Sequence, residues 1–222
     1  MRARPALRRI HLWLGWLVGV PILFWTASGL FMVARPIDEV RGTALRNPAP
    51  PVSARAVRLP DLAGRKVKTL SVEMQLGRPL WIASFVDGSA ARADAATGAW
   101  LPQVAEPEAR AIARAAYAPS SPIAGTLRTP ADKPPIDLRR PRPAWQVSFA
   151  DATHLYVDAD TGAVLALRTG QWRWYDWMWG LHIMDLQERE NTSHALLILF
   201  AALAFIATLL GLVLLPLASR RR

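Results

Sequence analysis

Two long stretches without a charged residue, one near each end of the chain, restrict its fold more than any other feature. The first runs over 24 residues from His11 to Ala34, and the second over 25 residues from Ala195 to Ser219. A helix needs about 20 apolar residues to cross the hydrocarbon core of a bilayer, whereas a stretch of about 10–14 is typical of a buried core helix. The pattern therefore predicts two transmembrane helices, at residues 11–34 and 194–218.

Basic residues flank both predicted spans. The chain has a net charge of +10, and much of the excess lies at its ends. The flanking residues are Arg2, Arg4, Arg8 and Arg9 before the first span and Arg220, Arg221 and Arg222 after the second. By the positive-inside rule we expect cytoplasmic tails at 1–10 and 219–222 and a periplasmic central domain, in a bacterial inner membrane. The lipid bilayer is then the expected partner, and nucleic acid is not.

Several site classes are excluded by what the chain lacks. It has no cysteine, which excludes disulfides, thiolate metal sites and cysteine nucleophiles. It also has no zinc-protease, nucleophile-elbow, P-loop or dinucleotide-binding motif, so no catalytic residue is predicted. The first apolar stretch exceeds the roughly 7–15 residues of a signal peptide, so we expect an uncleaved anchor.

A gapless internal repeat organises the central residues. Residues 79–101 match residues 143–165 at a constant offset of 64, with 11 of 23 positions identical. Each copy reads as three strands joined by turns, and the pattern predicts a helix at 106–118 before the second copy. Before the first copy, any helix is expected to be short, around Pro60 to Arg65. We expect an α+β domain with antiparallel sheets, its two copies at 59–102 and 103–168.

Proline and aspartate mark the connections. Prolines predict a linker at 35–58 without regular helix and an extended loop from Pro119 to Pro143. Four aspartates recur beside the turns of the repeat, so turn chemistry explains them better than acid–base catalysis. They are Asp87, Asp94, Asp151 and Asp158.

An aromatic segment precedes the second span. Four tryptophans and a tyrosine fall within eight positions, and both residue types favour the bilayer interface. We therefore expect an interfacial helix at 171–190. Helical spacing would place four of its side chains on one face, namely Tyr175, Trp179, His182 and Leu186.

Histidine is the one residue type here suited to bind haem or a soft metal. His11 and His182 are the candidate cofactor ligands, His194 is a weaker one, and His154 is expected on a strand surface. The predicted spans separate His11 from His194 by about 30 Å, so these two cannot share a metal. His182 and His194 would be about 18 Å apart on one helix, so they meet only if the chain turns between Glu188 and Asn191 or across a dimer. Each boundary histidine is open to a second interpretation, as an interfacial anchor.

Several of these segments resemble a known family. Residues 8–16, RRIHLWLGW, and residues 26–30, TASGL, resemble the first helix of PepSY-associated transmembrane proteins. Residues 155–165, LYVDADTGAVL, are similar to the closing strands of a PepSY domain, and Leu181 with His182 also resembles the family. The resemblance implies a domain that binds protein segments or restrains peptidases.

The same resemblance suggests a cofactor. Larger relatives with more spans include ferric-siderophore reductases that bind haem b through membrane histidines, and His11 and His182 are the matching positions here. Because this chain has two predicted spans, a haem site enclosed by four helices would need a homodimer.

Three hypotheses follow from the sequence. The first is a membrane-anchored PepSY binding or accessory module with a protein partner, linked to iron uptake. The second is a dimeric, ferric-reductase-like oxidoreductase that carries electrons on haem b, and the third is a peptidase-restraining domain.

Overall fold

The computed structural model describes residues 3–52 and 57–219, with side chains at 5–52 and 57–215. Of the basic tail residues, Arg2, the side chain of Arg4 and Arg220–Arg222 lie outside the described residues. The chain divides into two units, Met1–Pro36 with Trp174–Arg222, and Ile37–Arg173. The helices are α1 (Ala3–Val33), α2 (Ile37–Arg41), α3 (Glu106–Ala116), α4 (Gly170–His182) and α5 (Ala195–Ser219). The strands are β1 (Val67–Gln75), β2 (Arg78–Phe85), β3 (Ala90–Asp94), β4 (Ile123–Thr129), β5 (Ala144–Phe149), β6 (His154–Asp158) and β7 (Val164–Arg168).

The long helices α1 and α5 pack against each other in the first unit. Pro5–Val33 and Ala195–Leu215 are long and apolar enough to cross a membrane, with mean hydropathies of 1.8 and 2.9. Only 11% and 6% of the residues in their most apolar windows are buried within the chain. The core helix of a soluble protein would be mostly buried, so the apolar surface of both helices needs another covering.

The two sheets of the second unit repeat one pattern of strand pairing. Strands β1–β2–β3 form an antiparallel sheet, and β4–β5–β6–β7 form another. The register shifts one step after Val67 pairs with Phe85, and again after Ile123 pairs with Phe149. Because Phe85 and Phe149 are equivalent in the sequence repeat, the irregularity occurs at the same place in both copies. The sequence repeat is thus also a repeat in structure.

The fourth strand differs between the copies. In the second copy Val164 pairs with Val157 and begins β7. The equivalent Trp100 makes only an isolated bridge with Ala93. The first copy therefore keeps a three-stranded sheet and only a remnant of the fourth strand.

The repeated aspartates act in turns, as predicted. Asp94 accepts hydrogen bonds from the backbone N–H groups of Ala96 and Thr97, both at 2.9 Å. Asp158 accepts the equivalent pair of bonds from residues 160 and 161, also at 2.9 Å. Satisfying the backbone of a tight turn is the ordinary role of aspartate at such positions.

Two connections differ from the sequence predictions. The loop expected from Pro119 to Pro143 contains β4, which pairs with β5. The linker expected at 35–58 contains α2 and a short 3₁₀ helix, Thr43–Leu45. Around Pro60 to Arg65, where any helix before the first copy is expected to be short, the described residues have only turns and irregular chain. For the loop and the linker, proline spacing misled, since tertiary pairing and packing decide such short elements.

The second unit has a core between α3 and the second sheet. Its members are aliphatic and aromatic residues of α3, β5, β6 and β7, among them Ile112, Val147, Leu155 and Leu167. Helix α3 begins with Pro107 in its first turn and buries Ala109, Ile112 and Ala113 on one face. This spacing is that of an amphipathic helix, which explains why α3 lies flat on the sheet.

A buried arginine connects the first copy to the helix of the second. Arg92 on β3 is 2% exposed and donates to both carboxylate oxygens of Glu108 on α3, at 2.7 and 2.6 Å. It also donates to Gln75 at 3.1 Å, and the Gln75 amide donates to the carbonyl of Thr161 at 2.9 Å. The hydrogen bonds between Arg92 and Glu108 hold the pKa of Glu108 below its usual range.

We expect Glu108→Gln to lower the free energy of unfolding of the second unit by about 2–3 kcal/mol, because it leaves Arg92 buried without a charge partner. Since the pKa of Glu108 is lowered, the contribution of this ion pair is present at pH 7 and is lost as the pH falls below about 4. Urea titration of the full chain in detergent, read by hydrogen exchange of α3 and β2, measures the change. The control is Glu106→Gln. Glu106 forms an exposed ion pair with Arg110 at 3.8 Å, so its loss should lower the free energy of unfolding by less than about 0.5 kcal/mol. Equal effects of the two substitutions would contradict the role of Arg92.

Candidate functional site

His182 ends α4 and lies against α1 within the first unit. The indole Nε1 of Trp25 donates to Nε2 of His182 at 2.9 Å, and Nδ1 of His182 donates to the Trp25 carbonyl at 3.1 Å. The Ser28 hydroxyl lies 3.2 Å from the same Nδ1. A Cβ added to Gly29 would lie 3.2 Å from Cε1 of His182, so the ring packs tightly over this glycine. Both nitrogens are therefore engaged, and the lone pair that would bind a metal accepts the Trp25 hydrogen bond.

His194 caps the second long helix. Its Nδ1 lies 3.3 Å from the backbone N–H of Leu197, three residues on, which is the position a helix N-cap serves. Its Nε2 donates to the carbonyl of Ile183 at 2.8 Å. The chain therefore turns directly after α4, earlier than the predicted turn between Glu188 and Asn191. As in His182, the lone pair of the ring already has a donor.

His11 differs from the other two membrane-unit histidines. It lies over Gly211 of α5, where an added Cβ would be 3.1 Å from Cε1 of the ring. Its Nδ1 is buried and has no hydrogen-bond partner among the residues that the structure describes. A groove of about 480 Å³ runs beside the ring along α1, past Gly15, Trp16 and Gly19. Of the three predicted ligand positions, this is the one whose ring has a nitrogen without a hydrogen-bond partner among the described residues.

Helix α4 ends at His182, so Leu186 does not share its face as the sequence suggested. Trp174 and Trp177 are 60% and 40% exposed and meet edge to face. Asp176 on the same helix is buried and pairs with Arg189 at 2.8 Å. The exposed tryptophans fit the predicted interfacial position of α4, which stays a prediction.

His154 belongs to a polar cluster in the second unit. Its Nδ1 lies 3.4 Å from Asp137 and 3.3 Å from the amide of Gln146. Arg173 lies 3.6 Å from the same Asp137 carboxylate. Burial opposes the charge of Asp137, but the hydrogen bond with His154 and the charge of Arg173 hold the pKa of Asp137 below its usual range. This cluster attaches the loop that carries Asp137 to the face of the sheet.

The second unit also has a cleft of about 550 Å³ that the sequence analysis missed. Its walls are residues 46–50, the tip of the β1–β2 hairpin at 73–77 and the C-terminal half of α3. Leu155 and the turn at 162–164 form its floor. These segments lie far apart in the sequence, so no local pattern marked the cleft.

A metal site has no support in the part of the chain that the structure describes. Within residues 3–52 and 57–219, no three His, Asp or Glu residues are grouped as metal ligands. The functional features that remain are the free nitrogen of His11 and the cleft.

We expect Trp25→Phe and His182→Ala to be coupled by about 1 kcal/mol in a double-mutant cycle, because either change removes the same hydrogen bond. The free energy of unfolding of the full chain can be measured by SDS titration in mixed micelles. The matched cycle uses Trp16→Phe, since Trp16 is 81% exposed and its coupling to His182 should be near zero. Additive effects of Trp25→Phe and His182→Ala would contradict the hydrogen bond.

Comparison with known proteins agrees with this architecture. The family model of the PepSY-associated TM region matches residues 8–222, which include both apolar helices and both sheets. No curated protein and no solved structure matches the chain. The two apolar helices and the family match together indicate a membrane protein. Because the match covers nearly the whole chain, the protein belongs to the family of the PepSY-associated TM region.

Proposed function

We propose that this protein is an inner-membrane-anchored PepSY protein whose central domain, made of two PepSY-like repeats, works as a binding or accessory module in the periplasm. The observation that carries the proposal is the division of the chain into two units. A polar unit with its own core, residues 37–173, is inserted between two helices apolar enough to span a bilayer. Such a chain holds a folded domain at the membrane surface.

The side of the membrane follows from charge. Four arginines precede the first apolar stretch and three follow the second, whereas 24 and 25 residues within the stretches carry no charge. Positive residues close to spans favour the cytoplasm, so the domain between the spans belongs on the opposite side. We infer cytoplasmic termini at 1–10 and 219–222.

The partner is a protein. The second unit has no catalytic constellation among its described residues, and its histidine and its aspartates in the turns serve structural contacts. It has a cleft of about 550 Å³, and a concave, partly apolar surface is the usual place for a ligand. A peptidase is one such partner, which would make the domain a restraint on its activity.

His11 favours a second candidate function, haem-b binding in a homodimer for electron transfer to ferric iron, and with it a link to iron uptake. A ligand to haem iron needs an unprotonated ring nitrogen, which His182 and His194 use for hydrogen bonds. His11 fits, because its Nδ1 has no partner within the described residues. Gly15 and Gly19 have nothing within 4 Å of an added Cβ, so another helix could approach there closely. Haem b would supply one-electron chemistry, and His11 of each copy would hold it.

The first proposal is tested with single-cysteine variants, since the natural chain has no cysteine. Leu76, Val86 and Leu127 are 43%, 65% and 62% exposed, and they lie in the β1–β2 turn, directly after β2 and on β4. We expect a membrane-impermeant, photoactivatable maleimide to label all three in intact spheroplasts. We also expect illumination to join at least one of them to the same protein in repeated preparations. A cysteine at the N-terminus should label only after lysis.

Labelling of the three positions only after lysis would contradict the periplasmic domain. Labelling without any reproducible protein adduct would contradict the binding role. Identification of the adduct by mass spectrometry shows whether the partner is a peptidase.

The second candidate predicts a Soret band in protein purified from haem-replete cells, lost in His11→Ala and kept in His194→Ala. The physical reason is that the His194 lone pair already accepts the N–H of Leu197. Absorption spectra of the natural protein, His11→Ala and His194→Ala show whether the band depends on His11. A colourless natural protein, or a band lost only on changing His194, would contradict it.

A further inference from the structure

We propose that the cleft binds an extended peptide segment in which aliphatic side chains are flanked by one acidic and one basic group. The inference rests on the proposed binding role of the domain and names the chemistry of its ligand. It concerns the second unit alone.

The floor of the cleft is aliphatic. Leu155 is fully buried and Ile112 is 5% exposed, and Val164 with Ala116 completes this surface. No aromatic ring is present among the described lining residues, so no flat surface is offered to a planar ligand. A volume of about 550 Å³ falls within the range of about 300–1,000 Å³ that is typical of ligand sites. A few aliphatic side chains of a peptide fit such a space.

Two opposite charges stand at the mouth of the cleft. Arg46 and Glu73 are the ionisable residues among the described lining, and both are exposed. Neither side chain has an ion pair or hydrogen bond within the part of the chain that the structure describes. A guanidinium binds carboxylate with paired hydrogen bonds, and a carboxylate binds an amine. The ligand should therefore carry both a negative and a positive group, which a fatty acid or a free phosphate does not.

The wall formed by residues 46–50 determines how a ligand is recognised. The backbone and side-chain N–H groups of Asn47 donate to the carbonyls of Ala116 and Ala115, at 2.9 and 2.8 Å. Pro48 and Pro50 follow and have no N–H to donate. This wall cannot add a bound peptide as another strand, so recognition depends on side chains and charge.

The opposite wall is held in place by close packing. A Cβ added to Gly162 would lie 2.5 Å from Oε1 of Gln75, so the hairpin tip and the turn at Gly162 are in direct contact. Gln75 is in turn held by Arg92 and by the carbonyl of Thr161. The cleft is therefore formed before a ligand arrives, which lowers the entropic cost of binding.

The test is equilibrium binding of fluorescent peptides to the full chain in uncharged nanodiscs. The probe has about five residues and blocked ends, with lysine at one end, glutamate at the other and aliphatic residues between. We expect saturable binding that Arg46→Gln weakens roughly tenfold, as loss of a charged hydrogen bond implies. Arg46→Gln should not affect a probe whose glutamate is replaced by glutamine. Glu73→Gln should give the reciprocal result with the lysine of the probe.

Lys68→Gln is the matched control, because Lys68 lies exposed on the same strand as Glu73 and outside the cleft. Absence of saturable binding, or equal weakening by all three substitutions, would overturn the proposal. Arg46-dependent binding of a fatty acid in place of the peptide would overturn it too, in favour of a lipid. If cross-linking in spheroplasts finds a partner while the peptides fail, the ligand chemistry is wrong and the binding role stands. If the peptides bind as expected but cross-linking in spheroplasts finds no partner, the binding role in cells is wrong and the proposed ligand chemistry stands.

Discussion

The buried guanidinium of Arg92 holds the two copies of the repeat together, and the shape of the second unit depends on it. The equivalent residue of the second copy is Tyr156, which is also buried. Arginine at this position of the first copy reaches across to Glu108 on the helix of the second and positions Gln75 against Thr161. A charge with so little exposure is stable only with such partners. Arginine at a position where the other copy has tyrosine thus links the first sheet to the helix of the second copy and to the turn at Thr161.

The two copies of the repeat share the features of their strands and turns, and they differ in the elements that border the cleft. Both copies keep the shifted strand register and the aspartate turns. The indole of Trp81 donates to the carbonyl of Arg58, and that of Trp145 donates to Val104, at 2.7 and 2.8 Å. Only the second copy has a packing helix and a complete fourth strand within the described residues. The cleft lies along that helix, where the copies differ.

In the unit that contains α1 and α5, histidines that look alike in the sequence have different roles. His182 and His194 hold the end of α4 and the start of α5 through both ring nitrogens. Among the three predicted ligands, only His11 has a buried ring nitrogen with no hydrogen-bond partner among the residues that the structure describes. Hydrogen bonding, rather than position near a membrane boundary, separates a structural histidine from one that could bind a cofactor.

The sequence by itself determined the elements whose signal is local or repeated. The two long apolar helices, the aspartate turns, helix α3 and strands β2, β3, β5, β6 and β7 follow from length, periodicity or internal matching. Tertiary structure alone decided β1 and β4, the cleft and the partners of each histidine. Pairing with β5 makes a strand of residues that a count of prolines marks as loop. The cleft is formed by segments up to about 118 positions apart in the sequence, so no local sequence pattern indicates it.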